Sequence, residues 1–337
     1  KQKTSMSGSF LIFGAGAWGT ALSIQLAKPG NKVVLSSFDE ENLNQIKKHR
    51  ENKKYLSGFE LPKEVLVEPF CEEITKDVGS VIVCVKSPYF KNALLLLQQN
   101  LGDKSLVWAT KGFDPGNGGL LSSMVAEVVG AETKTAVLSG PTFAEELAAG
   151  KPAAITLATD TIERPVLLAE SMTNESLRVY LSSDPIGVQL GGGLKNIVAI
   201  AAGISDGLGM GANAKAALVT RGLDEICSLG LLLGASEKTF MGLSGVGDVI
   251  LSSSDDKSRN RQLGLSVGAG LSLGDAVKLQ NGTPEGAHAI KTLVENGVVN
   301  DKQPVLHSVY EVLYSGAKSS VVAKELMQRP IKEEGLR

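Results

Sequence analysis

Short apolar segments alternate with more polar, helix-forming segments over the first half of the chain. The apolar segments do not themselves alternate with polar residues, which indicates strands covered on both faces, as in a parallel sheet. The predicted strands are Phe10–Phe13, Lys32–Leu35, Val81–Val85, Leu106–Ala109, Thr135–Leu138 and Ala153–Leu157. Helical segments such as Glu40–Lys47 and Phe90–Gln98 lie between them. Repeated strand–helix units of this kind predict an α/β fold with a doubly wound sheet.

The pattern changes near Gly187, where strand signals almost vanish and Ala, Gly and Leu become frequent. Apolar residues then recur at helical spacing, at Leu190, Leu194, Ile197, Val198, Ala201 and Ile204. The segments Ala214–Leu233, Leu263–Leu279 and Thr283–Glu295 also fit helices. We therefore predict a doubly wound domain over residues 1–186 and an all-helical C-terminal domain over residues 187–337.

Three glycines follow the first predicted strand at the spacing G-x-G-x-x-G, namely Gly14, Gly16 and Gly19. In a Rossmann-type domain such glycines allow a tight turn, close approach of a pyrophosphate, and close packing of helix on strand. A helix-forming segment from Thr20 to Lys28 follows, and N–H groups at the helix start would face the phosphates. An ordinary glycine-rich turn is the alternative. The strand–turn–helix–strand context favours a dinucleotide cofactor.

Composition excludes several classes of protein. The formal net charge of −2 over 337 residues indicates neither nucleic-acid binding nor a polybasic membrane anchor. No apolar run reaches the roughly 18 residues that a membrane span requires, so no span is predicted. The three cysteines form no CxxC pair, which favours reduced thiols in a cytoplasmic protein over disulfides or a zinc site. No metal ligands are predicted.

Polar residues interrupt glycine-rich, otherwise apolar sequence at five places. These are Ala109–Gly112, Ser139–Ala144, Leu194–Asn196, Gly245–Asp248 and Ser258–Arg261. The first two directly follow predicted strands, so we expect them at the carboxyl edge of the sheet, where ligands bind.

Lys195 enters an apolar helix after three consecutive glycines. Its ammonium either extends to solvent or lies in a pocket that lowers its pKa, where it would donate a proton to a carbonyl receiving a hydride. Asp248 would orient a substrate hydroxyl or a lysine; the alternative is a turn or N-cap aspartate.

A second cluster combines guanidinium, amide and hydroxyl groups that suit a phosphate dianion. It consists of Lys257, Ser258, Arg259, Asn260 and Arg261. The alternative is a solvated basic loop balanced by Asp255 and Asp256.

These blocks, in this order after Gly14–Gly19, resemble the bacterial-type NAD(P)-dependent glycerol-3-phosphate dehydrogenases over nearly the whole chain. The shared blocks are N-K-K-Y-L at Asn52–Leu56, A-T-K-G, S-G-P-T-F-A, K-N, S-D-G, G-A-N-A, T-R-G, G-D, S-R-N-R and Glu285-Gly286. The resemblance implies reversible hydride transfer between NAD(P)H and dihydroxyacetone phosphate, giving sn-glycerol 3-phosphate for phospholipid synthesis. The expected partner is thus a small phosphorylated substrate. A Gly- and Ala-rich helical domain is compatible with the homodimer that we predict.

The resemblance also implies roles for residues at matching positions. Lys195 would be the general acid/base that protonates the nascent C2 alkoxide. The implied substrate contacts are Lys111, Gly140, Thr142, Lys195, Asp248, Ser258, Arg259 and Asn260. The implied cofactor contacts, beside Gly14, Gly16 and Gly19, are Ala17, Trp18, Lys111, Ala144, Arg259, Thr283 and Glu285.

The segment Ser36-Ser37-Phe38-Asp39 departs from the family pattern, which commonly has tryptophan and then a basic residue before the acid. Phe38 and Asp39 would contact the cofactor, because an acid about 20 residues beyond the last glycine binds the ribose hydroxyls in NAD-preferring folds. The 2′-phosphate of NADP lacks its obvious basic partner, although Ser36 and Ser37 offer hydroxyls. We predict a lean toward NAD, with NADP left open.

Two further departures bear on the site. Lys86 stands where the family usually has proline, so it adds positive charge near the cofactor or faces water. Thr283-Pro284 replaces the usual apolar pair before Glu285.

Two other functions compete with the main one: a reductase of hydroxy acids with the same domain plan, and a catalytically silent dinucleotide sensor. The phosphate-suited cluster argues against the first and the intact lysines against the second.

Overall fold

The computed structural model describes residues 8–280 and 282–328, which form two compact units. The first unit extends to Thr110 and resumes at Ser122–Val188. The second contains Lys111–Leu121 and the chain from Gln189 onward. Residues 111–121 therefore belong with the second unit, although most of the chain before Val188 belongs with the first.

The first unit contains ten strands among its described residues. In chain order they are β1 (Ser9–Phe13), β2 (Lys32–Ser36), β3 (Glu51–Asn52), β4 (Leu56–Glu60), β5 (Val65–Val67), β6 (Ser80–Val83), β7 (Ser105–Trp108), β8 (Thr135–Ser139), β9 (Ala153–Ala158) and β10 (Leu177–Ser182). Its helices are α1 (Ala17–Ala27), α2 (Glu40–His49), α3 (Glu73–Lys76), α4 (Phe90–Leu97), α5 (Leu121–Val129), α6 (Ala144–Ala148) and α7 (Pro165–Met172).

Eight of these strands form one sheet in the order β10-β9-β8-β7-β6-β1-β2-β5, and β3 pairs with β4 in a separate hairpin. All six predicted strands are present in the sheet, with ends that differ by at most two residues. Neighbouring strands run parallel except for β8 and β9, which are antiparallel. A parallel sheet was predicted, and the structure departs from this prediction at one strand pair. The β8–β9 connection holds only the short α6 and makes no full crossover, so the two strands run antiparallel.

Two strands of the sheet escaped prediction, and both lie at its edges. β5 has only three residues, too few for a clear pattern. β10 exposes Tyr180 and Leu181, so it lacks the continuous burial that distinguishes the central strands.

The second unit consists of helices and loops over the residues that the structure describes, as predicted for the C-terminal domain. The helices are α8 (Pro185–Gly207), α9 (Ala212–Leu232), α10 (Glu237–Phe240), α11 (Asp248–Ser254), α12 (Arg259–Gly268), α13 (Leu273–Leu279), α14 (Glu285–Glu295), α15 (Pro304–Tyr314) and α16 (Ser319–Met327). The segment Leu243–Gly247, which is kinked at Gly245, precedes α11.

The predicted helix over Leu263–Leu279 is wrong, because the chain breaks it into α12 and α13. Gly270 lies between them with a φ of +103°, a conformation that ends helices and favours glycine. Ser272 then starts α13 by accepting a hydrogen bond from the backbone N–H of Asp275 at 3.2 Å.

Helix α8 is long and apolar enough to cross a bilayer by length and composition, but 94% of its most apolar window is buried inside the protein. It is therefore a core helix. Its glycines allow α12 to cross it at very short range: an added Cβ on Gly203 would overlap the carbonyl oxygen of Arg261, and one on Gly264 would overlap that of Ile200. This crossing fixes α12 against the second half of α8.

Replacing Gly264 with alanine should lower the free energy of unfolding by about 3 kcal/mol, because the added methyl group meets backbone that cannot move aside cheaply. Urea denaturation measures this change. Gly274→Ala, within α13, is the matched control, since its Cβ would meet only the Ser272 hydroxyl at 3.9 Å and alanine favours helix. Equal stability of the two variants would contradict the close crossing.

Candidate functional site

The glycine turn in the first unit has the geometry that its spacing predicts. Gly14 has a φ of +124°, and an added Cβ would lie 2.7 Å from the carbonyl group of Cys84. A Cβ on Gly19 would overlap the carbonyl oxygen of Gly14, so only glycine lets α1 pack this closely on β1. Around Gly16, by contrast, a Cβ would meet nothing within 4 Å.

Helix α1 begins beyond Gly16 without a capping side chain and with no acidic residue in its first turn. Its first N–H groups are therefore not neutralised by a carboxylate, and the space beside Gly16 is open. These features fit the pyrophosphate of a dinucleotide. Ala17 and Trp18 are the first two residues of the helix.

The turn is tied to the loop after β8, which carries three predicted site residues. The indole Nε1 of Trp18 donates a hydrogen bond to the hydroxyl of Thr142 at 3.0 Å, across 124 residues of sequence. Gly140, with a φ of +153°, has no room for a side chain, because a Cβ would lie 2.9 Å from the Cα of Ile155. Ala144 begins α6. The fold thus brings Trp18 and Thr142 into direct contact.

In the second unit, two lysines share one buried carboxylate. Lys195 Nζ lies 2.7 Å from Asp248 Oδ1, and Lys111 Nζ lies 2.5 Å from Asp248 Oδ2. Lys195 also donates to the hydroxyl of Ser252 at 2.6 Å. Asp248 is 1% exposed and Lys195 is 8% exposed, so Lys195 does not extend to solvent.

Burial has opposite effects on the two charges at the centre of this cluster. The pKa of Lys195 falls to about 8, because burial and the nearby Lys111 ammonium outweigh the attraction of Asp248. Burial would raise the pKa of Asp248, but the two ammoniums outweigh it and hold that pKa below its ordinary value. The cluster therefore contains a carboxylate and an ammonium that releases its proton near neutral pH.

The glycines before Lys195 explain how the cluster forms. They lie inside α8, not ahead of it, and an added Cβ on Gly193 would lie 2.9 Å from the ring of Phe113. A Cβ on Gly191 would overlap the backbone of Ser244. Small residues on this face of α8 let the segments that carry Lys111 and Asp248 approach Lys195.

Family models match both parts of the chain. The model described as the NAD-dependent glycerol-3-phosphate dehydrogenase N-terminus matches residues 9–164, and the corresponding C-terminus model matches residues 184–324. The chain belongs to the NAD-dependent glycerol-3-phosphate dehydrogenase family.

Individual members of this family align along almost the full chain. Glycerol-3-phosphate dehydrogenase [NAD(P)+] of Bartonella tribocorum is 40% identical over 96% of this chain and 98% of its own length. The protein of the same name from Nitrosococcus oceani is 42% identical over 96% of this chain and 95% of its own length. The crystal structure of glycerol-3-phosphate dehydrogenase from Coxiella burnetii is 33% identical, covers 96% of this chain and 99% of that chain, and superposes with a TM-score of 0.90.

In this glycerol-3-phosphate dehydrogenase family member, an amide network extends from the lysine cluster. Asn260 Nδ2 donates to Asn196 Oδ1 at 3.0 Å, and Asn260 Oδ1 accepts from the N–H of Gly286 at 2.9 Å. A Cβ on Gly286 would lie 2.7 Å from both the Asn196 carbonyl and Asn260 Oδ1. The network therefore places Asn196, the residue after Lys195, against the starts of α12 and α14, and Glu285 is the first residue of α14.

The predicted phosphate cluster divides into two parts. Arg261 is bound by Asp206, 2.6 Å from its Nη2, and by Asp256, so its charge is balanced as the alternative interpretation supposed. Arg259 is exposed and makes one long hydrogen bond, 3.5 Å, to the carbonyl of Gly282, next to Thr283. Ser258 caps α12 by accepting from the N–H of Arg261 at 3.3 Å. Arg259 is thus the guanidinium in this segment that remains accessible to an anion.

In the segment after β2, the structure contradicts one part of the prediction, namely that the Ser36 hydroxyl is available to a cofactor. Asp39 caps α2, with Oδ1 accepting from the N–H of Asn42 at 3.0 Å, and its Oδ2 lies 2.6 Å from Lys54 Nζ. Phe38 is half exposed and packs edge-on against Phe13, with 4.9 Å between ring centroids. Ser36 is fully buried, so it is not accessible to a cofactor.

Sequence reasoning missed two residues that the structure places beside the predicted site. Ser252 lies one helical turn after Asp248, on the same face of α11. Lys54 was part of the quoted N-K-K-Y-L block but had no assigned role. Its pairing with Asp39 depends on how the β3–β4 hairpin packs, which no local pattern indicates.

Residues 8–280 and 282–328 contain no group of three His, Cys, Asp or Glu side chains arranged to hold a metal ion. Lys86, which departs from the family pattern, is exposed. Cys71, Cys84 and Cys227 form no disulfide.

Proposed function

We propose that this chain catalyses reversible hydride transfer between NAD(P)H and dihydroxyacetone phosphate, giving sn-glycerol 3-phosphate for glycerophospholipid synthesis. The observation that carries the proposal is the buried Lys195 ammonium, whose pKa of about 8 suits a general acid and base near neutral pH. Family membership and the names of the aligned relatives agree with this activity.

Lys195 is the proton donor in this mechanism. A nicotinamide dinucleotide, held by the glycine turn at Gly14–Gly19, would supply a hydride to C2 of the ketone, and negative charge would then develop on the carbonyl oxygen. The Lys195 ammonium donates its proton to that oxygen, which yields the alcohol and leaves a neutral amine. Solvent then returns the proton to the amine. In the oxidative direction the neutral amine accepts the hydroxyl proton.

Asp248 and Lys111 set the charge around this proton transfer. The carboxylate holds Lys195 at 2.7 Å and Lys111 at 2.5 Å, so both ammoniums are oriented before substrate binds. Lys111 lowers the pKa of Lys195 by repulsion and contributes its own positive charge toward an anionic substrate. Ser252 accepts from Lys195 and fixes the direction of the ammonium.

A phosphorylated substrate also needs a phosphate-binding group. Arg259 has the exposed guanidinium for this role. The neighbouring Ser258 and Asn260 remain predicted substrate contacts. Gly140 and Thr142 in the first unit remain predicted substrate contacts.

The open space at Gly16 and the uncapped start of α1 support dinucleotide binding by the first unit. The other predicted cofactor contacts remain Ala17, Trp18, Phe38, Asp39, Lys111, Ala144, Arg259, Thr283 and Glu285. Residues 1–186 and 187–337 remain our proposed dinucleotide-binding and substrate-binding domains.

We further propose a cytoplasmic homodimer. Cysteines that form no disulfide suit a reducing compartment. At the end of α9, Leu231, Leu232 and Leu233 are exposed by 42%, 81% and 47%, an apolar surface that a second copy would cover.

A panel of ketones tests the activity. We expect the purified protein to oxidise NADH or NADPH rapidly with dihydroxyacetone phosphate, at least about 100-fold less efficiently with dihydroxyacetone, and negligibly with 2-keto acids, because Arg259 recognises the phosphate. Arg259→Met should raise KM for dihydroxyacetone phosphate by a much larger factor than it lowers kcat/KM for dihydroxyacetone, which carries no phosphate. The cofactor absorbance at 340 nm follows every reaction.

Two results would contradict the proposal. Preference for a 2-keto acid would support the hydroxy-acid reductase, and cofactor binding without oxidation by any ketone would support the dinucleotide sensor. Lys238→Met is the control for Arg259→Met, since it removes an exposed cation of the same unit that lies outside the predicted phosphate cluster.

A further inference from the structure

The segment directly after β2, where a basic residue would bind the 2′-phosphate of NADP, contains no cation. The residues that follow this strand are Ser37, Phe38 and Asp39, and none is basic. NADP carries a phosphate monoester on the 2′-oxygen of its adenosine ribose, and an acid at this place repels it. By sequence alone the segment therefore favours NAD.

In the structure the negative charge of Asp39 is paired with a cation from another part of the chain. Both oxygens of Asp39 are occupied, one by the N–H of Asn42 and the other by the ammonium of Lys54. The Lys54 ammonium and this backbone N–H hold the pKa of Asp39 below its ordinary value. The carboxylate thus acts as a helix cap and as the partner of a cation, and its negative charge is neutralised.

The hairpin that carries Lys54 is attached directly to the dinucleotide turn. Asn52 is fully buried, and its Nδ2 donates to the carbonyl oxygen of Ala15 at 2.9 Å and to the Thr20 hydroxyl at 2.8 Å. Its Oδ1 accepts from Asn42 in α2 at 3.3 Å. Two residues later, Lys54 is therefore held in a defined place relative to Gly16 and to the end of β2.

The Lys54 ammonium is positioned and still accessible. It lies 5.2 Å from the centre of the Tyr55 ring, and its side chain is 54% exposed. Asp39 and the Tyr55 side chain each interact with the ammonium, which leaves the third N–H for a second anion. A surface pocket of about 460 Å³ adjoins both Asp39 and Lys54. In its wall, Glu51 is turned toward β4, where it accepts from the N–H of Gly58 at 2.8 Å.

We infer that Lys54 is the specificity-determining residue for the coenzyme: its ammonium binds the 2′-phosphate of NADP(H), in place of a basic residue after β2. The inference rests on the proposed function, since it assigns the coenzyme of that same reaction. It reverses the lean toward NAD that Asp39 suggests in the sequence, and it predicts that the enzyme uses NADPH.

The decisive measurement uses adenosine fragments, which need no turnover. Isothermal titration of the full chain should show about tenfold tighter binding of adenosine 2′,5′-bisphosphate than of adenosine 5′-monophosphate, since one charge-assisted contact is added. Lys54→Met should remove this difference. The same variant should lower the ratio of kcat/KM for NADPH to that for NADH about tenfold with dihydroxyacetone phosphate.

Two further variants make the test specific. Lys63→Met, which removes an exposed lysine of the same unit that does not line this pocket, should leave the preference for the bisphosphate intact. In Asp39→Asn/Lys54→Met the repelling carboxylate is absent while asparagine still caps α2. Weak bisphosphate binding in this double variant supports direct contact by Lys54, and restored binding would overturn it.

Equal binding of the two fragments to the unaltered chain would also overturn the inference. Failure of the proposed function would look different. The chain would then oxidise neither coenzyme with dihydroxyacetone phosphate, whatever the fragments show.

Discussion

Replacing Lys195 with methionine should lower kcat for reduction of dihydroxyacetone phosphate by about 10³-fold, because the proton donor to the developing alkoxide is lost. Methionine keeps most of the buried volume, and Asp248 retains Lys111 as a partner at 2.5 Å, so the fold should survive. Cofactor affinity should change little, since Lys195 is not one of the predicted cofactor contacts. Steady-state kinetics and a fluorescence titration with NADH measure the two quantities.

Lys278→Met is the matched control, because it removes an exposed lysine from α13 in the same unit. A second test uses Lys195→Ala, in which small amines added to the buffer should restore part of the rate by occupying the space of the lysine. A Lys195→Met enzyme with near-normal kcat, or an alanine variant that amines leave unchanged, would remove Lys195 from the role of acid/base.

Asp248→Asn should have the second large effect, on stability and on pH dependence together. The carboxylate is 1% exposed and lies between two ammoniums, so its neutralisation leaves two like charges close together without a counter-charge. Breaking a buried pair in this way costs about 3 kcal/mol or more. Urea denaturation at neutral pH should show this loss in the free energy of unfolding.

The same substitution should lower the pKa of Lys195 below its value of about 8, because an attractive charge is lost while the repulsion from Lys111 remains. Reduction requires the ammonium, so kcat/KM in the unaltered enzyme should fall as pH rises through about 8. In Asp248→Asn the fall should begin at a lower pH. An unchanged profile would show that Asp248 does not govern this titration.

The free energy of unfolding should also depend on pH, through the lowered pKa of Lys195. The pKa of Lys195 is lower in the folded chain than its ordinary value of 10.5, so the unfolded chain binds more protons between about 8 and 10.5. The contribution of Lys195 to stability therefore rises with pH across this window. In Asp248→Asn the pKa of Lys195 is expected to be lower still, so the pH range over which its contribution to stability rises should begin at a lower pH. Glu325→Gln, at an exposed position of α16, is a control in the same unit.

The sequence alone predicted the features that depend on neighbouring residues. A strand covered on both faces needs only a short apolar run, and a dinucleotide turn needs three glycines at fixed spacing. The six predicted strands, the turn at Gly14–Gly19 and the helical C-terminal half were found for this reason. The break in the helix predicted over Leu263–Leu279 was missed, although Gly270 lies within it, because one glycine is tolerated in many helices.

Tertiary structure decided which charges meet. Lys111, Lys195 and Asp248 were each singled out, but only the close packing around Gly191 and Gly193 makes them one cluster. Arg259 and Arg261 are nearly indistinguishable in sequence, and only the fold gives Arg261 two carboxylates and leaves Arg259 accessible.

The same division applies to the coenzyme. In sequence, Asp39 is the acid of an NAD-preferring fold, because its spacing from Gly19 is all that can be read. In the structure the charge of Asp39 is paired with Lys54 on the β3–β4 hairpin. The buried Asn52 anchors this hairpin to the dinucleotide turn. Local spacing determines where backbone turns and strands begin. Electrostatic environment depends on side chains far apart in the chain, and only the folded structure brings them together.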